Sequence, residues 1–449
     1  MLALFLFYML HLFDLSLQLS GFPMKEARIE MKQIVAISET DYQNHIEEKR
    51  NEIVQFHLKN NASYRAFVSQ NTNDEKTMTW DALPIMTKKE FQKPLVDRLS
   101  RGYTLKNVYV NKTSGSSGDP FIFAKDKYCH ALAWSNIINR FAWFGIDFNT
   151  SFQARFYGIP LDFMGNKKER IKDILKNSYR FSIFDLSDAI LEKVLVQFQR
   201  KKFDYINGYT SSIVLFAKYL QKKNLVLTTI CPTLKCCVVT SEMLFEEDKI
   251  LMEKQFGVPI INEYGASELD LIAFENPDGE WQVNSETLFV EILDEQNKVV
   301  PYGTEGRIVI TSLYNKAHPF IRYDIGDVGI LDEKSSFKKP ILKKLIGRTN
   351  DVALLPSGKK SPGLTFYYVT KSIIEDDGNV KEFVIKQTKI DTFEIEYVSQ
   401  NELTESQIQT IKKAIETYLE NGLHFTFSRK EKLERSKSGK LKQFVSMME

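Results

Sequence analysis

The chain has 449 residues, 43% of them hydrophobic and 26% charged, the composition of a folded globular protein too long for one core, so two or three domains are expected. A formal net charge of +2, with Lys and Arg scattered apart from a cluster between Arg429 and Lys442, gives no global electrostatic case for binding nucleic acid. The four cysteines, Cys129, Cys231, Cys236 and Cys237, match no zinc-ribbon or CxxC spacing and read as buried thiols in a reducing compartment.

Residues 2–19 are apolar, but Asp14 interrupts them after about a dozen residues, which is short for a membrane span. No Lys or Arg precedes the run and no small-residue cleavage site follows it, so a signal peptide fits poorly. A packed N-terminal helix is one reading and peripheral contact with a membrane surface the other; the protein reads as cytoplasmic. Residues 41–68 suggest a polar-faced helix with Ile46, Ile53, Phe56 and Phe67 as its apolar stripe.

Between the apolar Val108-Tyr109-Val110 and Phe121-Ile122-Phe123 lies Lys112-Thr113-Ser114-Gly115-Ser116-Ser117-Gly118-Asp119-Pro120. Glycines allow positive φ and close backbone approach, and the hydroxyls add donors beside free backbone N–H groups, a combination suited to a polyphosphate. A Ser/Gly hairpin turn is the alternative. Asp119 and Pro120 follow Gly118 where a Walker loop needs Lys and Ser or Thr, which disfavours that class of NTPase.

Lys125–Gly145 reads as a helix, as do 187–201, 210–223 and 245–256, alternating with strand-like runs at 236–240 and 258–262. That alternation predicts βα units in a layered α/β structure, turning to β between 288 and 331. The last hundred or so residues read as a compact α+β unit. Phe383-Val384-Ile385, Phe393–Tyr397 and His424–Phe427 are its strands; Thr404 and Gln407 make a capping box, Ile408, Ile411, Ile415 and Leu419 line a helix, and Gly422 stops it. The expected fold is therefore α/β: a large multi-layer domain over 1–348 with α/β and β parts, then a small α+β lid domain over 349–449.

Four further segments carry candidate chemistry. Asn262-Glu263-Tyr264-Gly265-Ala266-Ser267-Glu268 could stack on a base, approach a phosphate and ligate Mg²⁺, or be a strand-end turn with a solvated Glu. Arg322-Tyr323-Asp324-Ile325-Gly326-Asp327 ends in a carboxylate suited to a diol, or is a charged hairpin. Gly347-Arg348-Thr349-Asn350-Asp351 falls where the large part gives way to the small one, and Ser436-Lys437-Ser438-Gly439-Lys440 offers a lysine on a Gly-containing tail.

In this order, the Ser/Gly loop and these four segments resemble the adenylate-forming ligase superfamily over residues 20–445. Within it the chain looks most like the phenylacetate–CoA ligase and CapK-type branch, notably at Asn262–Glu268 followed by Ile272-Ala273-Phe274-Glu275, and at His318-Pro319-Phe320-Ile321-Arg322-Tyr323. The resemblance implies ATP-dependent activation of a carboxylic acid to an acyl-adenylate, then transfer to the thiol of CoA or a carrier protein. Thr113, Ser114, Gly115, Ser116, Ser117 and Gly118 would hold the β- and γ-phosphates. Tyr264, with Gly265, would stack near the adenine, while Ser267 and Glu268 would serve the phosphates and Mg²⁺. Asp327 and Arg348 would hold the ribose, Asn350 would be the hinge, and Lys440 would reach the carboxylate and α-phosphate.

Departures from the family pattern are Asp119 in the loop, Asn350 at the hinge, Glu434 where a proline opens the lysine motif, and the missing cysteines of a structural zinc. Residues 150–260 should line the acid pocket, where Phe156, Tyr157 and Tyr209 would suit an aryl acid or be ordinary core. Two alternatives stand beside thiol transfer. One is a CapK-type enzyme of capsule or envelope biosynthesis with an amine or hydroxyl acceptor; the other is a non-catalytic nucleotide-binding scaffold.

Overall fold

The computed structural model describes residues 11–72, 79–113, 121–157, 173, 177–181, 186–348, 352–358, 360–362, 380–418, 420–435 and 441–448. The chain divides into two units, residues up to Ile325 with Ile330–Lys343, and Gly326–Gly329 with Lys344–Glu449.

The first unit starts with helices α1 (Leu12–Leu19), α2 (Met24–Ala36), α3 (Glu39–Asn60), α4 (Ala62–Asn71) and α5 (Leu95–Arg98). Phe13 and Leu17 of α1 are buried with Met24, Ala27, Met31 and Ile34 of α2, so the described part of the apolar N-terminus packs as a helix. Residues 2–10 of that run lie outside the described residues, and among the described helices none is long and apolar enough to cross a membrane. The single helix expected over 41–68 is two. Asn61 ends the first, its N–H donating to His57 O at 2.9 Å, and starts the second, its Oδ1 accepting from Tyr64 N–H at 2.8 Å. One residue thus closes one helix with its backbone and caps the next with its side chain.

Strands β1 (Val108–Lys112) and β2 (Ile122–Asp126) pair antiparallel on either side of the Ser/Gly segment. Helix α6 (Lys127–Ala142) starts two residues later than expected because Asp126 is its cap, accepting from Cys129 N–H at 2.8 Å. A seven-stranded sheet follows, from β3 (Gln153–Phe156), β4 (Ser178–Phe181), β5 (Tyr205–Tyr209), β6 (Cys236–Thr240), β7 (Ile260–Ala266), β8 (Asp270–Glu275) and β9 (Trp281–Val283). Its order is β4-β3-β5-β6-β7-β8-β9, parallel through β7 and antiparallel beyond. Helices α7 (Asp188–Arg200), α8 (Thr210–Lys222), α9 (Leu227–Ile230) and α10 (Glu246–Phe256) supply the crossovers and bury Leu195, Phe198, Phe216, Met252 and Phe256 against Phe156, Ile206, Cys237 and Val239. The predicted βα alternation is borne out; β3 and β4, short and partly polar, escaped it. All four cysteines are buried, and burial pushes the Cys236 thiol up to about 12 and Cys129 and Cys237 up as well, the signature of unreactive thiols.

Strands β10 (Leu288–Leu293), β11 (Glu305–Ser312), β12 (Tyr323–Leu331) and β13 (Leu342–Arg348) form a four-stranded sheet in that order, the β region expected between 288 and 331 and one strand more.

In the second unit, β14 (Val352–Leu354) pairs with β15 (Lys360–Pro362). A sheet ordered β18-β17-β16-β19 comprises β16 (Val380–Lys389), β17 (Thr392–Ser399), β18 (His424–Arg429) and β19 (Phe444–Ser446). Helix α11 (Glu405–Tyr418) begins at the expected capping box: Thr404 N–H donates to Gln407 Oε1 at 2.8 Å and Gln407 N–H to Thr404 Oγ1 at 3.3 Å. Gly422 follows with φ +82°, the left-handed turn expected of a helix stop. The α/β class with an accompanying α+β unit is as the sequence led us to expect.

Candidate active site

Strand β7 carries Glu263, Tyr264 and Gly265 to the carboxyl end of the parallel strands, where open α/β sheets bind ligands, and turns through Ser267-Glu268-Leu269 into β8. The register slips between Tyr264 and Gly265, and a Cβ on Gly265 would lie 2.8 Å from Asp270 O, so this bulge admits only glycine without displacement. Asp270, at φ +60°, closes the turn.

Lys125, near the end of β2, clamps both ends of that turn. Its Nζ lies 2.5 Å from Asp270 Oδ2 and donates to Ser267 O at 3.0 Å, with the side chain only 1% exposed. Inside the turn Glu268 is buried, 6% exposed, and its Oε1 accepts from the Tyr323 hydroxyl at 3.2 Å. Burial raises the Glu268 carboxyl above its ordinary value, while its own backbone N–H, the Lys88 ammonium, Tyr323 and Lys125 draw it back. Two of the five segments singled out in the sequence thus meet at one place, the Tyr-Gly turn and Arg322-Tyr323 through its tyrosine, and Lys125, on the strand that follows the Ser/Gly segment, joins them.

Arg322 serves the fold. It is fully buried at φ +44°, donates to Asp81 O at 3.0 Å and Leu83 O at 2.9 Å, and faces Glu291 at 3.4 Å. These bonds fix the backbone that aims Tyr323 at Glu268.

Tyr264 is buried, its ring edge-on to Trp281 with centroids 6.0 Å apart, while Gly265 and Ser267 are exposed. Thr113 closes the base of the hairpin loop, its N–H donating to Phe121 O at 3.0 Å and its Oγ1 accepting from Phe121 N–H at 3.1 Å. Burial alternates strictly along β12, and Asp327 falls on its buried face, 5% exposed. Arg348 is the last residue of β13. Ser114, Gly115, Ser116, Ser117, Gly118, Asn350 and Lys440 lie outside the described residues.

Of the three aromatics expected near an acid pocket, Phe156 is core, fully buried against Phe181 and Phe216. Tyr157 and Tyr209 meet edge-on at 5.0 Å, and the Tyr157 hydroxyl donates to Asn207 Oδ1 at 2.9 Å. Sequence reasoning missed two residues. Lys125 closes the apolar run Phe121-Ile122-Phe123-Ala124, but nothing local ties it to Ser267 or Asp270. Glu263, inside a quoted motif, was given no role; burial pushes its carboxyl up to about 7, against a hydrogen bond with Thr240 that pulls it down.

No protein-family model matches the chain. Protein CapK of Staphylococcus aureus is 25% identical over 372 residues, covering 79% of this chain and 77% of CapK. A phenylacetate-coenzyme A ligase of Aromatoleum evansii is 25% identical over 173 residues, 34% of this chain and 38% of that protein. Among solved structures, 2-hydroxyisobutyryl-CoA ligase in the postadenylation state with 2-HIB-AMP superposes with a TM-score of 0.68 at 15% identity, covering 89% of this chain and 88% of that one. Fold, relatives and motif order point the same way: the chain is similar to CapK and to phenylacetate-coenzyme A ligase, and it shares the fold of 2-hydroxyisobutyryl-CoA ligase.

Proposed function

We propose that this protein activates a carboxylic acid with ATP and passes the acyl group to a thiol of CoA or a carrier protein. A carboxylate oxygen attacks the α-phosphorus, a new P–O bond forms, the bond to the β-phosphate breaks, and pyrophosphate leaves. The acceptor thiolate then attacks the acyl carbonyl, and AMP leaves with the electron pair. The observation that carries this reading is the buried Glu268, held by Tyr323 inside a Lys125-clamped turn at the carboxyl end of the parallel strands.

In this reading the Thr113–Gly118 segment binds the β- and γ-phosphates, exposed Gly265 lets a phosphate approach the backbone, and Tyr264 lies against the adenine. Asp327 and Arg348 take the ribose. Lys440 neutralises charge on the carboxylate and α-phosphate, and Asn350 is the hinge between the two half-reactions. Among the described residues no group of three or more His, Cys, Asp or Glu could hold a metal. Mg²⁺ brought in on ATP needs one or two protein oxygen ligands, which Glu268 and Ser267 would supply. Bound there, it would supply charge neutralisation to the departing pyrophosphate. A cytoplasmic location goes with this reading, since ATP and CoA are its substrates.

ATP–pyrophosphate exchange over a panel of acids tests it. Wild type should exchange in an acid-dependent way, and Glu268→Gln and Lys440→Ala should each lose about 100-fold or more. Exchange undiminished in Lys440→Ala would remove its assigned role; ATP binding without exchange on any acid would favour the scaffold reading. A second reading keeps adenylation and replaces the thiol by an amine or hydroxyl, as in the alternative of capsule or envelope biosynthesis. It draws on CapK matching 79% of the chain where the phenylacetate ligase matches 34%. Acceptor assays with CoA, carrier protein and amino sugars separate the two.

A further inference from the structure

One face of the seven-stranded sheet changes character along its strands. Towards the amino ends, Tyr205, Cys236, Val238 and Ile261 form an apolar cluster with Phe141. At the carboxyl ends the register sets Tyr209 beside Thr240 and Thr240 beside Glu263, and residues in register point to the same face. Tyr157, which follows β3, joins this row through its ring contact with Tyr209 and its bond to Asn207. A hydrophobic face thus ends in two phenols, a threonine and a carboxyl, at the end of the sheet where ligands bind.

The carboxyl is the member the fold does not explain. Glu263 is half-buried, Thr240 is its hydrogen-bond partner, and among the described residues no cation balances it. The nearby Arg155 lies over the Tyr157 ring at 5.1 Å and faces Asp173 at 3.7 Å. Placing a carboxyl at such a spot costs stability, and a core would be served better by an apolar residue. A ligand that supplies the missing positive charge would turn that cost into affinity.

We infer that the acid this enzyme activates carries a protonated amine, and that Glu263 is the specificity-determining residue that receives it between Thr240 and the wall formed by Tyr157 and Tyr209. This rests on the adenylation reading and narrows it. The two rings accommodate an aryl or alkyl body, but an acid with no donor leaves Glu263 desolvated and unmatched, the situation in which a polar site rejects an apolar analogue strongly.

Isosteric pairs test it: 4-(aminomethyl)benzoate against 4-ethylbenzoate, and 5-aminopentanoate against hexanoate, in ATP–pyrophosphate exchange with wild type, Glu263→Gln and Glu263→Leu. Wild type should favour the amine of at least one pair by about 100-fold in kcat/KM. Glu263→Leu should reverse that preference and Glu263→Gln reduce it, each variant first checked for an unchanged circular dichroism spectrum. Equal use of both members in wild type, or a preference that survives Glu263→Leu, overturns the inference while leaving adenylation standing. If no acid supports exchange, adenylation itself falls, and calorimetric titration of the same acids decides the pocket. Binding of an amine-bearing acid that Glu263→Gln abolishes sustains it, and no binding overturns it.

Discussion

Lys125→Met removes the ammonium that clamps the Ser267–Asp270 turn while nearly keeping the side chain's volume. Asp270 then loses a partner at 2.5 Å and Ser267 O loses a donor at 3.0 Å. Deleting one member of a buried pair costs about 3–5 kcal/mol, but the Asp270 side chain is 20% exposed and water recovers part of that, leaving about 2–3 kcal/mol. With a slope of about 3 kcal/mol/M, the urea midpoint should fall by about 0.7–1 M. Asp270→Asn should cost as much, since it strands an ammonium that is 1% exposed. The double variant should then be about 1–2 kcal/mol more stable than the sum of the two losses. Pyrophosphate exchange should fall by about tenfold or more in Lys125→Met, because the turn that carries Glu268 loosens. Additive single effects, or a Lys125→Met protein as stable and active as wild type, would refute the clamp.

Tyr323→Phe removes a hydroxyl that donates to Glu268 at 3.2 Å and so favours its ionised form. The carboxyl, already raised by burial, should rise further, moving the acid limb of the exchange–pH profile to higher pH; an unmoved limb would separate Tyr323 from Glu268. Glu263 has a folded value of about 7 against 4.5 for the free carboxyl, so between these values the unfolded chain ionises first and stability falls as pH rises. Glu263→Gln should therefore gain about 1–3 kcal/mol on wild type at pH 8 relative to pH 4, read by urea unfolding; a gap that does not change with pH would contradict the burial of that carboxyl. Gly208→Ala should cost more than about 3 kcal/mol and yield little soluble protein, because its Cβ would lie 2.3 Å from Phe156 O and 2.6 Å from Phe156 Cβ.

Local signals carried much of the fold. The Thr404–Gln407 box and the Gly422 stop each depend on neighbours a few residues away, and each was legible in the sequence. Asn61 was not, because nothing in its flanking residues shows that its backbone will end one helix while its side chain caps the next. Strands β3 and β4 are short and owe their place to pairing, β3 with β5, a partner about fifty residues on, and β4 with β3. At the site, motif order singled out the segments that hold Glu268 and Tyr323, and the hydrogen bond between the two is a finding of the structure. Lys125 stayed hidden because its partners Ser267 and Asp270 are over 140 residues away, and Glu263 because its row exists only once β3, β5, β6 and β7 are set in register.

The central claim is that a carboxylate oxygen attacks the α-phosphorus of ATP. Turnover of an acid labelled with ¹⁸O in its carboxylate, in the presence of ATP, Mg²⁺ and an acceptor, tests it by mass spectrometry of the products. Adenylation predicts AMP carrying one ¹⁸O and unlabelled pyrophosphate, whereas ADP with ¹⁸O in inorganic phosphate would place the attack on the γ-phosphorus and contradict it.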